Sequence, residues 1–274
     1  MNIKMWIRDF LKREKNLAWI YKDADTRSDL SRDIVTSRTC IYCTTPMKVI
    51  QENHSVAPSG VDEVTFILRF CQMCGWWTKQ RCVITYFEPF DTSAYSDGAI
   101  GSLYNLDVSN QSIPIEEIRS YLAVKYDERF NIDPWRFEEV VASVYKDLGY
   151  YTRVTTRSGD GGIDVVLDGP NSKVIGVQVK RYKDKIKVEQ IRSFVGALYL
   201  KRMTRGIFVT TSGFQSGADN AAQLSSSRGI RIELVDAQRF YQALGIAQQE
   251  YYKTIKDPLA PFVNVPLVSL GFDY

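Results

Sequence analysis

Two Cys-x-x-Cys pairs constrain the fold of this chain more than any other feature of its sequence. Cys40 and Cys43 form the first pair, Cys71 and Cys74 form the second, and 27 residues separate the pairs. Each pair places two thiolates on one tight turn, and two such turns complete the tetrahedral sulfur shell that zinc prefers. Gly75, directly after the second pair, suits such a turn. Free cysteines buried in one apolar environment are the alternative.

The segment around the cysteines is predicted to be a small β module. The runs EVTFILRF and RCVITYF are rich in β-branched and aromatic residues. The unit resembles a zinc ribbon, a module that binds nucleic acid, binds protein or only stabilises a fold. Cys82 alternates with apolar neighbours and is predicted to lie in the core. His54 is the single histidine, so a HExxH zinc site is excluded, and catalysis would depend on carboxylates, lysine or metal.

Length and charge narrow the class of protein further. A chain of 274 residues predicts about two domains. No apolar run approaches the roughly 18 residues of a membrane helix, and charges interrupt the first 15 residues too often for a secretory signal. We therefore expect a cytoplasmic protein with no membrane contact. Residues 133–247 contain 17 lysines and arginines against 12 acids, which makes the C-terminal half the expected face for a polyanion.

The N-terminal part of the chain alternates between predicted elements and connections. Residues 1–21 are predicted to form a helix, because their apolar residues recur at helical spacing. This helix packs on the rest of the protein or, alternatively, on a second copy. Residues 22–36 are polar and charged and are expected to be a linker. Residues 91–113 are rich in Ser, Asp, Asn and Gly, which is typical of a connection, and a helix is expected at 114–127.

The C-terminal part has a regular pattern of elements. Asp133 and Pro134 form a favourable helix start, and Gly149 suits the position after the helix end. The predicted strands are 151–156, 163–168, 174–182, 206–211 and 230–236, and the predicted helices are 134–148, 187–200, 215–227 and a short one that ends at Leu244. The tail, residues 247–274, is expected to pack on a neighbouring element.

The predicted organisation has five parts. They are an N-terminal helix with a linker, a zinc-ribbon module, a connecting segment with a helix, an α/β domain and a C-terminal tail, at residues 1–36, 37–90, 91–132, 133–246 and 247–274.

Four polar residues of the α/β part fall at positions where a solvated side chain is not expected. Glu138 lies at the edge of the apolar stripe of its helix, whereas Glu139 falls on the outer face. In the strand IDVVL, alternation places Ile163, Val165 and Leu167 on one face and Asp164 and Val166 on the other, so Asp164 points inward or into a cleft. Gln178 and Lys180 share a face of a largely buried strand. Taken singly, Glu138 could be a solvated acid in the first helical turn, Asp164 could be a turn residue, and Lys180 could begin a solvated basic run. Their occurrence together favours a functional site.

These segments resemble the Mrr-type restriction endonuclease domain, a branch of the PD-(D/E)xK nuclease superfamily. The similarity rests on FEEVVASVYKDLGY, SGDGGIDVVL, VIGVQVKRYK and GIFVTTSGFQSGADNAA, and it covers about residues 133–245. It implies that Glu138 is the acidic helix residue of the family and that Asp164 binds the catalytic metal. Gln178 and Lys180 match the QxK pair, in which glutamine is the usual choice of this branch. The N-terminal part departs from the winged-helix recognition domain of the founding proteins.

The resemblance implies both a fold and an activity. The fold is α/β, with a restriction-endonuclease-like mixed sheet flanked by helices, joined here to the small β zinc-ribbon module. The activity is Mg²⁺-dependent hydrolysis of DNA phosphodiester bonds by a restriction or defence nuclease. Asp164, Gln178 and the Val179 carbonyl would hold Mg²⁺, and Lys180 would stabilise developing charge or orient the nucleophile. Glu138 would complete the metal shell or hold Lys180 in place.

Double-stranded DNA, with or without modified bases, is the expected partner, and a homodimer is compatible with the sequence. The candidate phosphate contacts are the basic residues after the QxK pair, for which a merely solvated face is the alternative: Arg181, Lys183, Lys185 and Lys187. Two other functions stay open at this point. One is a non-cleaving DNA-binding adaptor with a degenerate nuclease domain, and the other is a Holliday junction resolvase.

Overall fold

Two separate β-sheets organise the chain. The computed structural model describes residues 19–21, 32–57, 62–87, 91–103, 106–156, 161–169, 174–254 and 267–273. These residues fall into two compact units, the first within Met1–Leu106 and Ile255–Tyr274, the second within Asp107–Thr254. Among the described helices, none is both long and apolar enough to cross a bilayer. The division between the units lies inside the segment that was expected to be a connection.

The first unit is built on an antiparallel sheet. Its described strands are β1 (Trp19–Tyr21), β2 (Lys48–Val56), β3 (Asp62–Phe70), β4 (Trp77–Phe87), β5 (Asp91–Leu103) and the C-terminal β11 (Val268–Asp273). The order across the sheet is β1-β5-β4-β3-β2, and β11 also pairs with β5. A short helix, α1 (Arg32–Thr36), precedes the first cysteine pair. The β-branched and aromatic runs thus form strands, as predicted.

Strand β5 corrects the first part of the predicted connection at 91–113, because residues 91–103 are a strand, whereas the described residues 106–113 lack helix and strand, as predicted. Strand β5 pairs with β4 along one edge and with β1 and β11 along the other. Its small side chains suit this central place, because Ser96 and Ala99 are fully buried. Arg81 of β4 lies directly across from Asp97 of β5, and the Arg81 Nε donates to the Asp97 carboxylate at 2.7 Å. Pairing on both edges and this cross-strand ion pair outweigh a composition that is typical of loops.

Two further predictions for the N-terminal part were wrong in their described portions. Trp19–Tyr21 is a strand rather than the end of a helix, since it pairs with β5, and Arg32–Thr36 is helical within the expected linker. The rest of the predicted helix, residues 1–18, and residues 22–31 of the linker lie outside the described residues. Local sequence patterns could not anticipate these differences, because strand pairing depends on distant segments.

The second unit has a five-stranded mixed sheet, as predicted. Its strands are β6 (Tyr151–Val154), β7 (Val165–Asp168), β8 (Val174–Lys180), β9 (Arg205–Thr210) and β10 (Arg231–Val235), in the order β10-β9-β8-β7-β6. The first three form an antiparallel meander, and the last three run parallel. Its helices are α2 (Ile115–Leu122), a 3-10 helix (Tyr126–Phe130), α3 (Pro134–Asp147), α4 (Val188–Leu200), α5 (Ala218–Ser227) and α6 (Ala237–Thr254).

Helices cover the sheet through buried apolar contacts. Helix α3 packs against β6, β7 and β8, and its Phe137 ring meets Phe240 of α6 at 5.4 Å between centroids. Phe194 of α4 and Phe208 of β9 belong to another buried cluster. The predicted cap of α3 is confirmed, since the Asp133 carboxylate accepts hydrogen bonds from the first-turn amides. The mixed sheet flanked by helices is therefore the observed architecture.

Helix α6 is longer than the sequence suggested. The prediction placed its end at Leu244, before Gly245, but the helix continues to Thr254. Gln248 is fully buried, and its amide donates to the Ser120 hydroxyl of α2 at 3.1 Å. These contacts outweigh the weak helix propensity of one glycine. The predicted tail therefore begins as helix, residues 255–266 lie outside the described residues, and β11 follows. The helix predicted at 114–127 instead ends at Leu122 and is followed by the 3-10 helix.

Candidate active site and metal centre

The four paired cysteines converge, as predicted. The Sγ atoms of Cys40 and Cys74 are 3.5 Å apart, those of Cys43 and Cys71 are 3.4 Å apart, and those of Cys43 and Cys74 are 3.7 Å apart. All four lie within 4.8 Å of one another. A tetrahedral zinc–thiolate site with Zn–S bonds of about 2.3 Å has sulfurs about 3.8 Å apart. In the described part of the chain, these thiols are the only group of three or more potential His, Cys, Asp or Glu ligands this close together.

The two cysteine turns have the same backbone design. In the first, the Thr44 N–H donates to the Cys40 carbonyl at 2.9 Å, and in the second the Gly75 N–H donates to the Cys71 carbonyl at 2.8 Å. The residue after each pair is left-handed, with φ of 58° at Thr44 and 81° at Gly75. The role predicted for Gly75 is confirmed. A β-branched residue is rarely left-handed, so the first turn must be held firmly by its surroundings.

The chemistry of the cluster also fits a bound cation. Burial raises the pKa of the Cys74 thiol, whereas hydrogen bonds from the neighbouring thiols hold the pKa of Cys43 well below its usual range. Four adjacent thiols become thiolates together only when a cation compensates their charge. His54 is exposed on β2 and its Nδ1 lies 3.0 Å from the Thr65 hydroxyl, outside the cluster. Cys82 is half-buried on β4.

Asp164 lies at the edge of the second sheet, just before β7. It is only 4% exposed, and its Oδ2 accepts a hydrogen bond from the Val179 N–H at 2.6 Å. Its own N–H donates to the Val177 carbonyl, although Val177 pairs with Val165 in the strand register. The ladder is therefore irregular here, and the carboxylate replaces a backbone carbonyl as acceptor. This bulge explains why β7 begins at Val165 rather than at residue 163.

The same irregularity changes the predicted side-chain faces. Ile163 belongs to the same buried cluster as Val166, which strict two-residue alternation does not allow. The prediction that Ile163 and Val165 share a face was therefore wrong. The burial of Asp164 was anticipated, but its cause is the break in the ladder and not simple alternation.

Gln178 and Lys180 lie at the end of β8, next to this bulge. Gln178 is half-buried, and its Nε2 is 3.5 Å from the point where a Cβ on Gly162 would lie. Gly162 has a φ of 83°, a left-handed backbone conformation that favours glycine. Lys180 is half-buried, and its carbonyl accepts from the Thr210 hydroxyl at 3.0 Å. Gln178 therefore lies beside the turn that leads into Asp164, and Lys180 follows two residues further along β8.

The backbone of Val179 contributes to the same place. In an extended strand, the N–H and C=O of one residue point to the same side. Because the Val179 N–H donates to Asp164, its carbonyl is also directed at the start of β7. The Asp164 carboxylate, the Val179 carbonyl and the side-chain amide of the neighbouring Gln178 are oxygen donors of the kinds that suit Mg²⁺. The donor set fits the metal that the resemblance implied.

Glu138 and Glu139 differ from one another in a way that helix phase only partly predicted. Both are half-buried on α3, the helix that packs against β7 and β8. The Glu139 carboxylate lies 2.5 Å from the Arg136 guanidinium, and its side chain is 31% exposed. The same side of the helix is approached by Arg119 of α2, which donates to the Ser143 hydroxyl at 2.8 Å. The prediction of a solvated outer face at Glu139 was therefore wrong.

The four basic candidates after β8 do not form one uniform surface. Arg181 is half-buried, and its guanidinium donates to the Phe130 carbonyl at 2.5 Å, so it anchors the 3-10 helix. Lys183, Lys185 and Lys187 are exposed, and the Lys183 ammonium lies 5.9 Å from the centre of the Phe130 ring. Three of the four predicted contacts thus remain accessible to a polyanion.

Sequence reasoning missed the hydroxyl side chains that end β9. Thr210 and Thr211 are fully buried polar residues, and Ser212 follows them. Their hydroxyls donate to carbonyls of the segment that carries Lys180 and the basic candidates. The signal was a run of three hydroxyl residues directly after the buried strand GIFV.

Comparison with known proteins finds restriction enzymes. The model of a restriction endonuclease family, the Mrr catalytic domain, matches residues 130–244, a range that contains all four candidate catalytic residues. The type IV methyl-directed restriction enzyme EcoKMrr of Escherichia coli (strain K12) is 37% identical over 134 residues, which are 46% of this chain and 42% of that enzyme. The chain thus spans about two fifths of the length of this curated relative.

Two solved structures are similar over part of the chain. The MspJI restriction endonuclease in complex with a 27-mer oligonucleotide is 18% identical, with a TM-score of 0.32, and the similarity covers 55% of this chain and 36% of that one. The ATP-dependent type ISP restriction-modification enzyme LlaBIII bound to DNA is 20% identical, with a TM-score of 0.31, and the similarity covers 43% of this chain and 8% of that one.

Proposed function

Because residues 130–244 match the restriction endonuclease catalytic domain of the Mrr type, we propose that this protein is a metal-dependent endonuclease that hydrolyses DNA phosphodiester bonds in a restriction or defence system. The observation that carries the proposal is the buried Asp164 carboxylate, held by the Val179 N–H at 2.6 Å beside Gln178 and Lys180. Burial of a carboxylate costs free energy. A metal ion bound at Asp164 would lower that cost in addition to the Val179 hydrogen bond.

Each residue of the site has a chemical task in this proposal. Asp164, Gln178 and the Val179 carbonyl hold Mg²⁺, which supplies electrostatic activation of the scissile phosphate. Lys180 stabilises the charge that develops on the phosphate or orients the attacking water. Glu138 completes the metal shell or holds the Lys180 ammonium in place. Lys183, Lys185 and Lys187 contact phosphates along the duplex. Such contacts give affinity without sequence preference.

The cysteine cluster holds a structural zinc ion in this proposal. Its four thiols form a closed donor set, which is typical of structural rather than catalytic zinc sites. Zinc then fixes the two turns that flank β2 and β3. Whether this module also contacts DNA decides target choice and not the chemistry of cleavage. A methyl-directed target, as the name of the Escherichia coli relative states for that enzyme, is the first specificity to test here.

One cleavage experiment tests the proposed activity. Purified protein with Mg²⁺ is incubated with plasmid DNA, unmodified or carrying methylated bases, and with a four-way junction. We expect plasmid cleavage that needs Mg²⁺ and is abolished in Lys180→Ala but not in Lys146→Ala, an exposed lysine on α3. Binding without any cleavage would favour the adaptor, and cleavage of the junction alone would favour the resolvase. Cleavage by Lys180→Ala at the wild-type rate would remove the assignment of the site.

A further inference from the structure

Three consecutive residues at the end of β9 carry hydroxyl side chains that donate to backbone carbonyls of Lys180 and of the basic segment that follows it (residues 181–185). The accepting carbonyls belong to every second residue. The Thr210 hydroxyl donates to the Lys180 carbonyl at 3.0 Å. The Thr211 hydroxyl donates to the Tyr182 carbonyl at 2.8 Å, and the Ser212 hydroxyl donates to the Asp184 carbonyl at 2.7 Å. We refer to Thr210, Thr211 and Ser212 as the hydroxyl ladder.

The hydroxyl ladder occurs where the backbone ladder between β8 and β9 cannot continue. The regular pairing ends at Lys180 opposite Thr210, and the segments that follow β8 and β9 meet again at an isolated bridge between Ile186 and Phe214. Six residue steps separate Lys180 from Ile186, but only four separate Thr210 from Phe214. The Lys180 carbonyl still accepts a backbone bond from the Thr211 N–H at 3.2 Å. Beyond it, two extra residues must protrude from the end of the sheet, and the carbonyls of Tyr182 and Asp184 bond to hydroxyls instead of backbone amides.

The ladder resolves this mismatch because a side-chain hydroxyl adds reach to each β9 residue. The offset between bonded residues falls from 30 at the first rung to 29 and then 28, which absorbs the two extra residues. Thr210 and Thr211 are fully buried, so water does not compete for these bonds. The protruding segment is thus held by specific bonds, although most of its own side chains are exposed.

The 3-10 helix (Tyr126–Phe130) also holds the basic segment. Arg181 donates to the Phe130 carbonyl at 2.5 Å, and the Lys183 ammonium lies near the Phe130 ring. Arg129, from the same 3-10 helix, donates to the carbonyl of Thr211 at 3.0 Å. The segment is therefore fixed between the ladder and the 3-10 helix, directly after Lys180.

We propose that the hydroxyl ladder positions two parts of the active site at once. Thr210 sets the place of Lys180 against the reacting phosphate, whereas Thr211 and Ser212 hold the basic segment so that Lys183 and Lys185 meet neighbouring phosphates of the same duplex. These are positioning residues, since they act through the groups whose carbonyls they bind. The proposal rests on the proposed nuclease function and adds how phosphate contact and catalysis are aligned.

The proposal predicts that neighbouring rungs affect different kinetic constants. Thr211→Val keeps the shape of the side chain but removes the donor, and it should raise KM for a linear duplex about tenfold while kcat stays within about threefold. The salt dependence of binding should become shallower by about one phosphate contact or more. Thr210→Val should instead lower kcat about tenfold or more with KM nearly unchanged. Thr211→Ser restores the hydroxyl and should return KM to the wild-type value.

Ser225→Ala is the matched control for these variants. Ser225 is a buried hydroxyl on α5 that donates to the Ala222 carbonyl at 2.7 Å, so its removal costs a comparable hydrogen bond elsewhere in the unit. Equal KM and kcat effects in all variants, in proportion to their thermal destabilisation, would reduce the ladder to a structural role and overturn the proposal. An unchanged KM and salt dependence in Thr211→Val would do the same.

Amide hydrogen exchange of residues 181–187 supplies a readout that needs no DNA. Thr211→Val should speed exchange there, whereas Thr211→Ser and Ser225→Ala should not. A wild-type protein that neither binds nor cleaves the duplex would defeat the proposed function and the catalytic part of this inference. The exchange data would then still decide whether the hydroxyls fix the segment, because unchanged exchange in Thr211→Val would refute that as well.

Discussion

Replacing Asp164 by asparagine separates a role in catalysis from a role in folding. Asparagine keeps the size of the side chain and an oxygen that can accept from the Val179 N–H, but it loses the negative charge. The charge strengthens that 2.6 Å hydrogen bond, by about 1–2 kcal/mol over a neutral acceptor. Burial of the charge acts in the opposite direction, because it costs more free energy than burial of a neutral amide. These effects oppose one another, so we expect the free energy of unfolding to change by about 1 kcal/mol or less.

The effect on catalysis should be much larger. Loss of an anionic metal ligand removes several kcal/mol of transition-state stabilisation, which corresponds to about 1000-fold or more in rate. Asp168 provides the matched control, because it lies at the other end of β7 and is exposed. Single-turnover plasmid cleavage with Mg²⁺, with thermal unfolding by circular dichroism, measures both quantities. A folded Asp164→Asn protein that cleaves within about tenfold of wild type would show that the metal is bound elsewhere.

Two further predictions concern other parts of the chain. Elemental analysis should find about one zinc per chain. The double variant Cys71→Ser with Cys74→Ser should lose this zinc and become sensitive to protease in the cysteine module, whereas Cys82→Ser should retain the zinc. A zinc content unaffected by the double change would refute the site. Burial, and then the neighbouring Glu116, raises the pKa of Glu117 to about 7, so stability should fall as pH rises from about 4.5 to 7, because the folded state keeps a proton that the unfolded state releases. At pH 8, Glu117→Gln should therefore be more stable than wild type by about 1 kcal/mol after allowance for solvent screening, and its melting temperature should be higher. At pH 4 the two proteins should melt at the same temperature; equal melting at both pH values would contradict this.

The second unit was largely predictable because its signals are local. Helix α3 has its cap at Asp133 and a glycine with φ of 92° after its end, and its apolar stripe fixes which side meets the sheet. The buried strands β8 and β9 are short apolar runs bounded by polar segments. Such features depend on neighbouring residues and survive in the folded structure.

The first unit was harder to predict, because its strands are defined by partners far away in the chain. β5 contains glycines and serines that favour loops when judged alone. It is a strand because β4, β1 and β11 supply hydrogen-bond partners on both edges, and two of these partners come from opposite ends of the sequence. The cysteine turns were nevertheless predictable, since metal ligands at a fixed spacing impose their own local geometry.

The candidate site residues are a prediction from the sequence, but the local environments of these residues could not be predicted from it. The sequence placed Asp164 near Gln178 and Lys180, yet the bulge that buries the carboxylate depends on the pairing of β7 with β8. The hydroxyl ladder could not be predicted, because the carbonyls that its hydroxyls bind lie about 30 residues away in sequence. Contacts of this range require the register of the parallel strands, which no single segment contains.

Glu139 shows what such missed contacts change, and it yields the last prediction. Helix phase placed it on a solvated face, but its carboxylate pairs at 2.5 Å with Arg136, whose side chain is only 9% exposed. Removing that charge leaves a buried guanidinium poorly compensated, so Glu139→Gln should lower the free energy of unfolding by about 1–2 kcal/mol and leave the cleavage rate within about threefold. Glu138→Gln should do the reverse, lowering the rate about 100-fold or more with a smaller loss of stability. Cleavage and thermal unfolding of both variants under identical Mg²⁺ and salt decide the matter. If Glu139→Gln loses activity while Glu138→Gln loses stability, the acid on α3 that serves the active site has been assigned to the wrong neighbour.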